Sequence, residues 1–440
     1  MASNPLVDIF RVKELRQRIL YTLMWLAIFR LGTFLPIPGI NASALQSYFA
    51  QQSSSSGTGV TDYLDFFAGG AFKNFSLFML GVMPYISMQI IMQLMLVVSP
   101  KLKKVSEEEG GKKKIARWTK IGTVFVTIIE SYSITIWADR IPNALTMGRV
   151  PYTLIAILTV TTGSMFLIWM GEQITKRGIG NGVSLLIFAG IVARLPNGIY
   201  ELIKKIQLGE LNAIYAIVVF VMFILVIAMV VYEQQGQRKI PVNYAKRVVG
   251  RKMYGAQNTY IPFKINPSGV IPVIFASSIL TFPLQISETL GVNAKWLRDF
   301  SYWLSPRGFW YNFLYVALII FFAYFYTQVT LNPQQISKNI RENGGSIPGI
   351  RSEKMEEHLT RILNRIILPG SLYLGLIALI PSLVQSFFGF PSSLAYLLGG
   401  TSLLILVGVD LDTMSQINAL LKMHHHEGLT KKGHIRSRNL

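Results

Sequence analysis

The stretch GVMPYIS (residues 81–87) lies inside a long apolar run, and a near-echo, GVIPVIF (residues 269–275), lies inside another. Proline cannot donate a helix hydrogen bond and glycine weakens helix packing. Read as helix interiors, Pro84 and Pro272 deprive the carbonyls of Leu80 and Ser268 of a donor, so each run is expected to carry a soft point. Interrupted apolar segments at corresponding places in two halves of a chain point to an inverted repeat with its working region at the interruptions.

The surrounding composition says what kind of helices these are. The chain has 440 residues, of which 51% are hydrophobic and only 15% charged. Soluble domains carry nearer a quarter charged residues, so a polytopic membrane protein is expected. Ten apolar runs are long enough to cross a bilayer: 19–38, 75–98, 119–138, 152–172, 183–203, 211–232, 267–288, 309–330, 363–385 and 394–415. The run with Pro84 is the second and the run with Pro272 the seventh, five spans on.

The net charge of +20 then becomes a statement about sidedness. With the N-terminus cytoplasmic, Lys and Arg divide 32 to 9 between inner and outer segments, Arg30 within the first span aside. The positive-inside rule therefore places both termini in the cytoplasm. The opening DIFRVKELRQRI (residues 8–19) is charged and amphipathic, without the apolar core and cleavage site of a signal peptide, and reads as an interfacial helix. QQSSSSGTG (residues 51–59) reads as a flexible outer loop. Segment 233–266 alternates β-branched and aromatic residues between turn formers, which predicts a hairpin. Segment 331–362 is expected to break at Gly344-Gly345 between helical pieces.

Several chemistries fail on spacing. SEEEGGKKK (residues 106–114) lacks the Walker A interval, so no nucleotide hydrolysis is expected of the chain itself. GIGNG (residues 178–182) is too short for a dinucleotide fingerprint and reads as a flexible loop with a tight turn. No zinc-protease helix or nucleophile elbow occurs, and the absence of cysteine removes thiol chemistry. The triple histidine at His424, His425 and His426 reads as a solvated tail. Glu130 is the main interior carboxylate and is expected to make a buried structural hydrogen bond; Arg30 snorkels or lines a cavity. Gln89 and Gln93, four apart on one face, suit a weakly held interhelical seam. A secondary transporter would account for the spans and broken helices, but it needs a midplane polar site, which is thin here, and leaves the basic inner loops without a role.

Seven strings decide between these readings. FFAGGAF, LGVMPYIS, MGEQITKRGIGNGVSLLIFAGI, NYAKR, GVIPVIFASS, IPGIR and GGTSLLI occur in order across nearly the whole chain. They resemble the SecY family, the central subunit of the bacterial protein-conducting channel. The resemblance implies an all-α polytopic fold of ten transmembrane helices in two inverted pseudo-symmetric five-helix halves around a central pore. The first half is 19–203, after a cytoplasmic amphipathic segment 1–18. The second half is 204–415, with cytoplasmic loops 233–266 and 331–362, followed by a cytoplasmic tail 416–440.

By the same resemblance, Val82, Ile86, Ile187, Ile191, Ile274 and Ile405 match a pore ring. The family usually has isoleucine where Val82 stands. Residues 61–73 match a plug, with Asp65, Phe66, Phe67, Gly69 and Gly70 in it. Pro84, Gln89, Gln93, Pro272 and Ser278 fall on the helices of a lateral gate. Lys246, Arg247, Arg251, Lys252 and Arg351 match a docking surface for a ribosome or the SecA motor, and the small membrane subunits SecE and SecG are the implied companions. The implied substrates are signal sequences and nascent chains, the implied site is the bacterial cytoplasmic membrane, and no cofactor is implied.

Overall fold

The computed structural model describes residues 12–54, 65, 68–139, 141–244, 247–249, 252–254, 258–290, 308–388, 390, 395 and 399–432. The chain is mostly helical. Among the described residues, seven helices are long and apolar enough to cross a membrane, eight if one sharply bent pair counts as a single span. The helix Ala213–Gln235 shows why hydrocarbon is its solvent: it is apolar all round up to its last turns. It leaves Ile214, Ile217, Phe220, Val221, Ile224 and Leu225 exposed. An unburied face of that composition belongs in lipid.

Two compact units are present, residues 1–201 with 405–440, and residues 202–404. In the first, α1 (Lys13–Gly32), α2 (Ala42–Ser54), α3 (Met83–Val98), α4 (Pro100–Glu107), α5 (Gly111–Asp139), α6 (Arg149–Arg177) and α7 (Gly182–Gln207) follow one another. α5 packs on α3 and α6, and α6 packs on α1. α1 starts before the expected span and takes its charged first turns with it; Arg18 pairs with Glu14 across one helical turn. Residues 51–54 of the expected outer loop are the last turn of α2, while 55–59 lie outside the described residues. The apolar run 75–98 is a helix only from Met83 onward.

The axis turns by 103° between α3 and α4. Ser99 precedes Pro100, whose ring excludes helical backbone for its neighbour. Ser99 is accordingly extended, at φ −103° and ψ 107°, and Pro100 opens the next helix.

In the second unit, α8 (Ala213–Gln235) leads into the expected hairpin: β1 (Gln237–Tyr244) pairs antiparallel with β4 (Asn258–Lys264), with β2 (Arg247–Val249) and β3 (Lys252–Tyr254) between them. α9 (Ile271–Leu290), α10 (Phe309–Thr330), α11 (Pro333–Glu342), β5 (Gly345–Ser346) and α12 (Met355–Phe388) follow. β5 pairs with the far edge of β1, Asn243 opposite Ser346 and Tyr244 opposite Gly345. The two basic segments, separate in sequence, therefore share one sheet of order β4-β1-β5. Ile240, Val242 and Phe263 bury one side of it against Ile340, Met355 and Leu359. The last helix, α13, runs Gly400–Lys432.

The expectation of proline soft points inside two helices is corrected here. Pro84 and Pro272 are each the second residue of their helix, α3 and α9. The missing N–H is one the first turn leaves unpaired anyway, and the fixed φ favours a helix start. Gly81 and Gly269 hold matching left-handed conformations, φ +57° and +59°, in the turn before. In each copy the glycine N–H donates three residues back, Gly81 to Phe78 O and Gly269 to Asn266 O. The isoleucine after the proline then donates to the valine carbonyl, Ile86 to Val82 at 3.1 Å and Ile274 to Val270 at 3.3 Å. The repeated motif is thus a helix initiator, copied in backbone as well as in letters.

Candidate functional site

The segment before the first of these helix starts is tied down by partners distant in sequence. Asp65 is fully buried, and its carboxylate lies 2.7 Å from the Arg194 guanidinium on α7, whose side chain keeps 23% of its exposure. The approach at Oδ2 is a charge contact rather than a well-aligned hydrogen bond. Oδ1 accepts the Lys73 backbone N–H at 3.0 Å, and the Asp65 carbonyl accepts that of Gly70. A carboxylate withdrawn from water loses several kcal/mol of hydration, so it persists only with partners of this kind. A second arginine reaches the same short segment: Arg30 on α1 donates to Gly69 O at 2.9 Å and rests on the Phe34 ring.

Between these anchors the backbone touches α7. Gly69 is left-handed, φ +66°, and a Cβ placed on it would stand 2.6 Å from the Gly190 Cα. Only glycine fits both demands. Gly190 lies in the turn of α7 that carries Ile187 and Ile191, both buried. The far end of the segment is pinned differently. Leu77 N donates to Leu35 O, and Ile37 N to Phe75 O, so residues 75–77 pair with the strand-like exit of α1. Phe75 stacks on Trp137 of α5 with ring centroids 5.8 Å apart, and Phe72 tilts onto the same indole. Residues 68–80 are turns except at Ser76, which bridges Pro36.

The candidate residues distribute as follows. Val82, Ile86, Ile187, Ile191 and Ile405 are buried in the first unit, on α3 or its approach, α7 and α13; Ile274 is buried in the second, on α9. Ser278 is buried beside it, and its hydroxyl donates to the Ile274 carbonyl, as does that of Ser277. Gln89 and Gln93 are half-buried on α3, the Oε1 of Gln93 without a protein donor. Gly69 and Asp65 belong to the seated segment, with Gly70 beside them; Phe66 and Phe67 lie outside the described residues. Arg247 and Lys252 fall on β2 and β3, whereas Lys246 and Arg251 lie outside the described residues. Arg351 is exposed immediately before a tight turn at Ser352–Lys354. Glu130 is buried on α5, on a helix face with Thr119, Thr123 and Thr127.

Two features escaped the sequence. The charge count places Arg194 with the outer segment beyond the fifth span, but it lies within α7 and is the partner of Asp65. Its signal was a charge i+3 from Ile191 and i+7 from Ile187, inside an apolar run. GIGNG is not a free loop: Ile179 N donates to Thr22 Oγ1 of α1, Gly180 N to Gln416 Oε1 of α13, and Gly182 N to Thr175 Oγ1. Polar side chains on three helices thus fix the turn between α6 and α7.

Comparison with known proteins locates this arrangement. The family model described as SecY matches residues 76–414. The protein translocase subunit SecY of Borreliella burgdorferi is 45% identical over 430 residues, covering 97% of this chain and 98% of its own. The subunit of the same name from Escherichia coli K12 is 40% identical, covering 99% of each. Among solved structures, one described as a protein conducting channel superposes with a TM-score of 0.65 at 19% identity, covering 92% of each chain. Sec61 in a canine ribosome-channel complex superposes with a TM-score of 0.61 at 18% identity, again covering 92% of each.

Proposed function

We infer the function of this chain from its kinship: the chain belongs to the SecY family. It is a multi-span membrane protein of that family, and we read it as a channel that passes secretory polypeptides across the bacterial cytoplasmic membrane. Ten spans form two inverted halves, 19–203 and 204–415, with both termini cytoplasmic. The matching helix starts at Gly81 and Gly269 carry this reading furthest, because one local structure recurs where each half would present its gate helix.

Val82, Ile86, Ile187, Ile191, Ile274 and Ile405 form a constriction of branched aliphatic side chains. Such a ring offers water no hydrogen bonds, so it resists wetting and ion flow while gripping any passing sequence alike. The segment 61–73 is the plug, seated by Arg30 and Arg194 at rest. The lateral gate runs along Pro84, Gln89, Gln93, Pro272 and Ser278. When it opens, Leu, Ile, Phe and Val each favour the bilayer centre by about 0.3–0.6 kcal/mol, whereas Asp, Lys and Arg each cost about 2.5–3.5 kcal/mol. An apolar segment therefore leaves sideways and a polar chain continues through.

The chain is not an enzyme; energy comes from a partner. The pairing of β5 with β1 joins the two basic segments and supports a single docking face for the SecA motor or a ribosome, to which we assign Lys246, Arg247, Arg251, Lys252 and Arg351. Arginine forks suit RNA phosphate and acidic protein surfaces equally. SecE and SecG accompany it in the membrane. A stalled translocating polypeptide should crosslink to photoreactive side chains at both Ile86 and Ile274; contact with neither would remove the central pore.

A further inference from the structure

Arg30 and Arg194 stand within electrostatic range of each other and grip the same short segment, one through Gly69 O and the other through Asp65. Arg194 is also the continuation of a line. Ile187, Ile191 and Arg194 are spaced i, i+4, i+7 on α7 and so share one face. The charge therefore follows the two ring positions of that helix by one turn. As long as residues 65–70 are seated, a carboxylate and a peptide carbonyl occupy the two guanidiniums. When that segment leaves, both cations lose these acceptors at once and face the space it filled.

We propose that Arg30 and Arg194 are a cationic collar on the conducting path, and that Asp65 occupies it as a resident stand-in for acidic side chains of the polypeptide being passed. This rests on the channel reading above. A guanidinium that has given up one carboxylate pairs with another in its place. Acidic stretches of a substrate therefore exchange for Asp65 with little loss of pairing. Lysine and arginine stretches meet two like charges instead. The collar makes passage sensitive to charge, which the aliphatic ring is not.

The test uses the full-length chain reconstituted in vesicles with its small membrane partners and motor. Three export substrates share one signal sequence and differ in a short acidic, basic or uncharged stretch of the mature region. For the parent, the acidic-to-basic rate ratio should be about fivefold, the scale of an ion pair worth about 1 kcal/mol. Arg194→Lys should keep the ratio, and the double variant Arg30→Gln, Arg194→Gln should bring it toward one. Asp65→Asn, which frees the collar without removing it, should preserve or enlarge the ratio. An equal ratio in the parent and the double variant, with the uncharged substrate exported, overturns the collar but leaves the channel reading intact. Loss of the acidic preference in Asp65→Asn overturns it independently, including when the double variant does not accumulate. A parent that exports none of the three substrates overturns the channel reading itself.

Discussion

The two helix starts have one backbone and two kinds of support. At Gly81 the approach is held by groups distant in sequence: Asp65 with Arg194, Arg30 with Gly69 O, and Phe75 on Trp137. At Gly269 the support is local. Asn266 Nδ2 donates to the Gly269 carbonyl, and Ser268 Oγ donates to Asn266 Oδ1, so three residues cap their own turn. A distant clamp is lost as a whole once its segment moves, whereas a local cap travels with its helix. The first start is thus conditional on the seated segment, whereas the second carries a cap of its own.

The largest effect should come from the clamp. Arg194→Gln strands the Asp65 carboxylate in a dry site, and breaking a buried pair from one side costs about 3–5 kcal/mol. Resting ion conductance of the reconstituted chain should rise steeply, and adding Asp65→Asn should recover much of the loss. A double variant as leaky as the single would show that the charge contact does not seat the segment. The glycines give the next contrast. Gly69→Ala meets both a left-handed backbone and the Gly190 Cα, and should cost about 2–3 kcal/mol. Gly269→Ala has the same backbone problem but open space around the new Cβ, so it should cost about 1–2 kcal/mol. Thermal unfolding of the two variants in detergent measures the gap, and equal losses would mean that the Gly69–Gly190 approach is slack.

Smaller still, Asn266→Ala removes the local cap and should cost about 1 kcal/mol, read as faster hydrogen exchange at Val273 and Ile274 with no change in ion conductance. A conductance change would tie the second start to the seal as closely as the first. Last, Pro84→Ala and Pro272→Ala should each shift stability by less than about 1 kcal/mol, because a proline in the first turn costs no hydrogen bond. Losses near the roughly 3 kcal/mol attached to an interior proline would restore the kinked helices.

The same contrast explains how far the sequence could be read. Apolar length, the hairpin at 233–266 and the positive-inside bias depend on local composition, so the main helical runs and the hairpin appear where composition places them. Whether Gly-x-x-Pro breaks a helix or starts one depends on the glycine's φ, which letters do not carry; a glycine three residues before a proline fits either. The pairing of Asp65 with Arg194 spans 129 positions and follows no period, so hydropathy sees Arg194 only as a charge misplaced in an apolar run. The ladder between β1 and β5 was equally hidden, since a two-residue strand has no pattern to detect.

That ladder has a mechanical consequence. β1 continues from α8, β4 returns to α9, and Ile265 N closes the base of the hairpin on Gly236 O. Stapling β5 along the outer edge makes the hairpin a stiff arm, about 25 Å long for eight residues of strand. Its fulcrum lies four residues before Gly269. A modest push on the tip becomes a torque at the root of α9, and the staple delivers part of the same load through the 3₁₀ turn to α12. Work done at the tip of the hairpin is therefore delivered to two helices together, with no moving part between them.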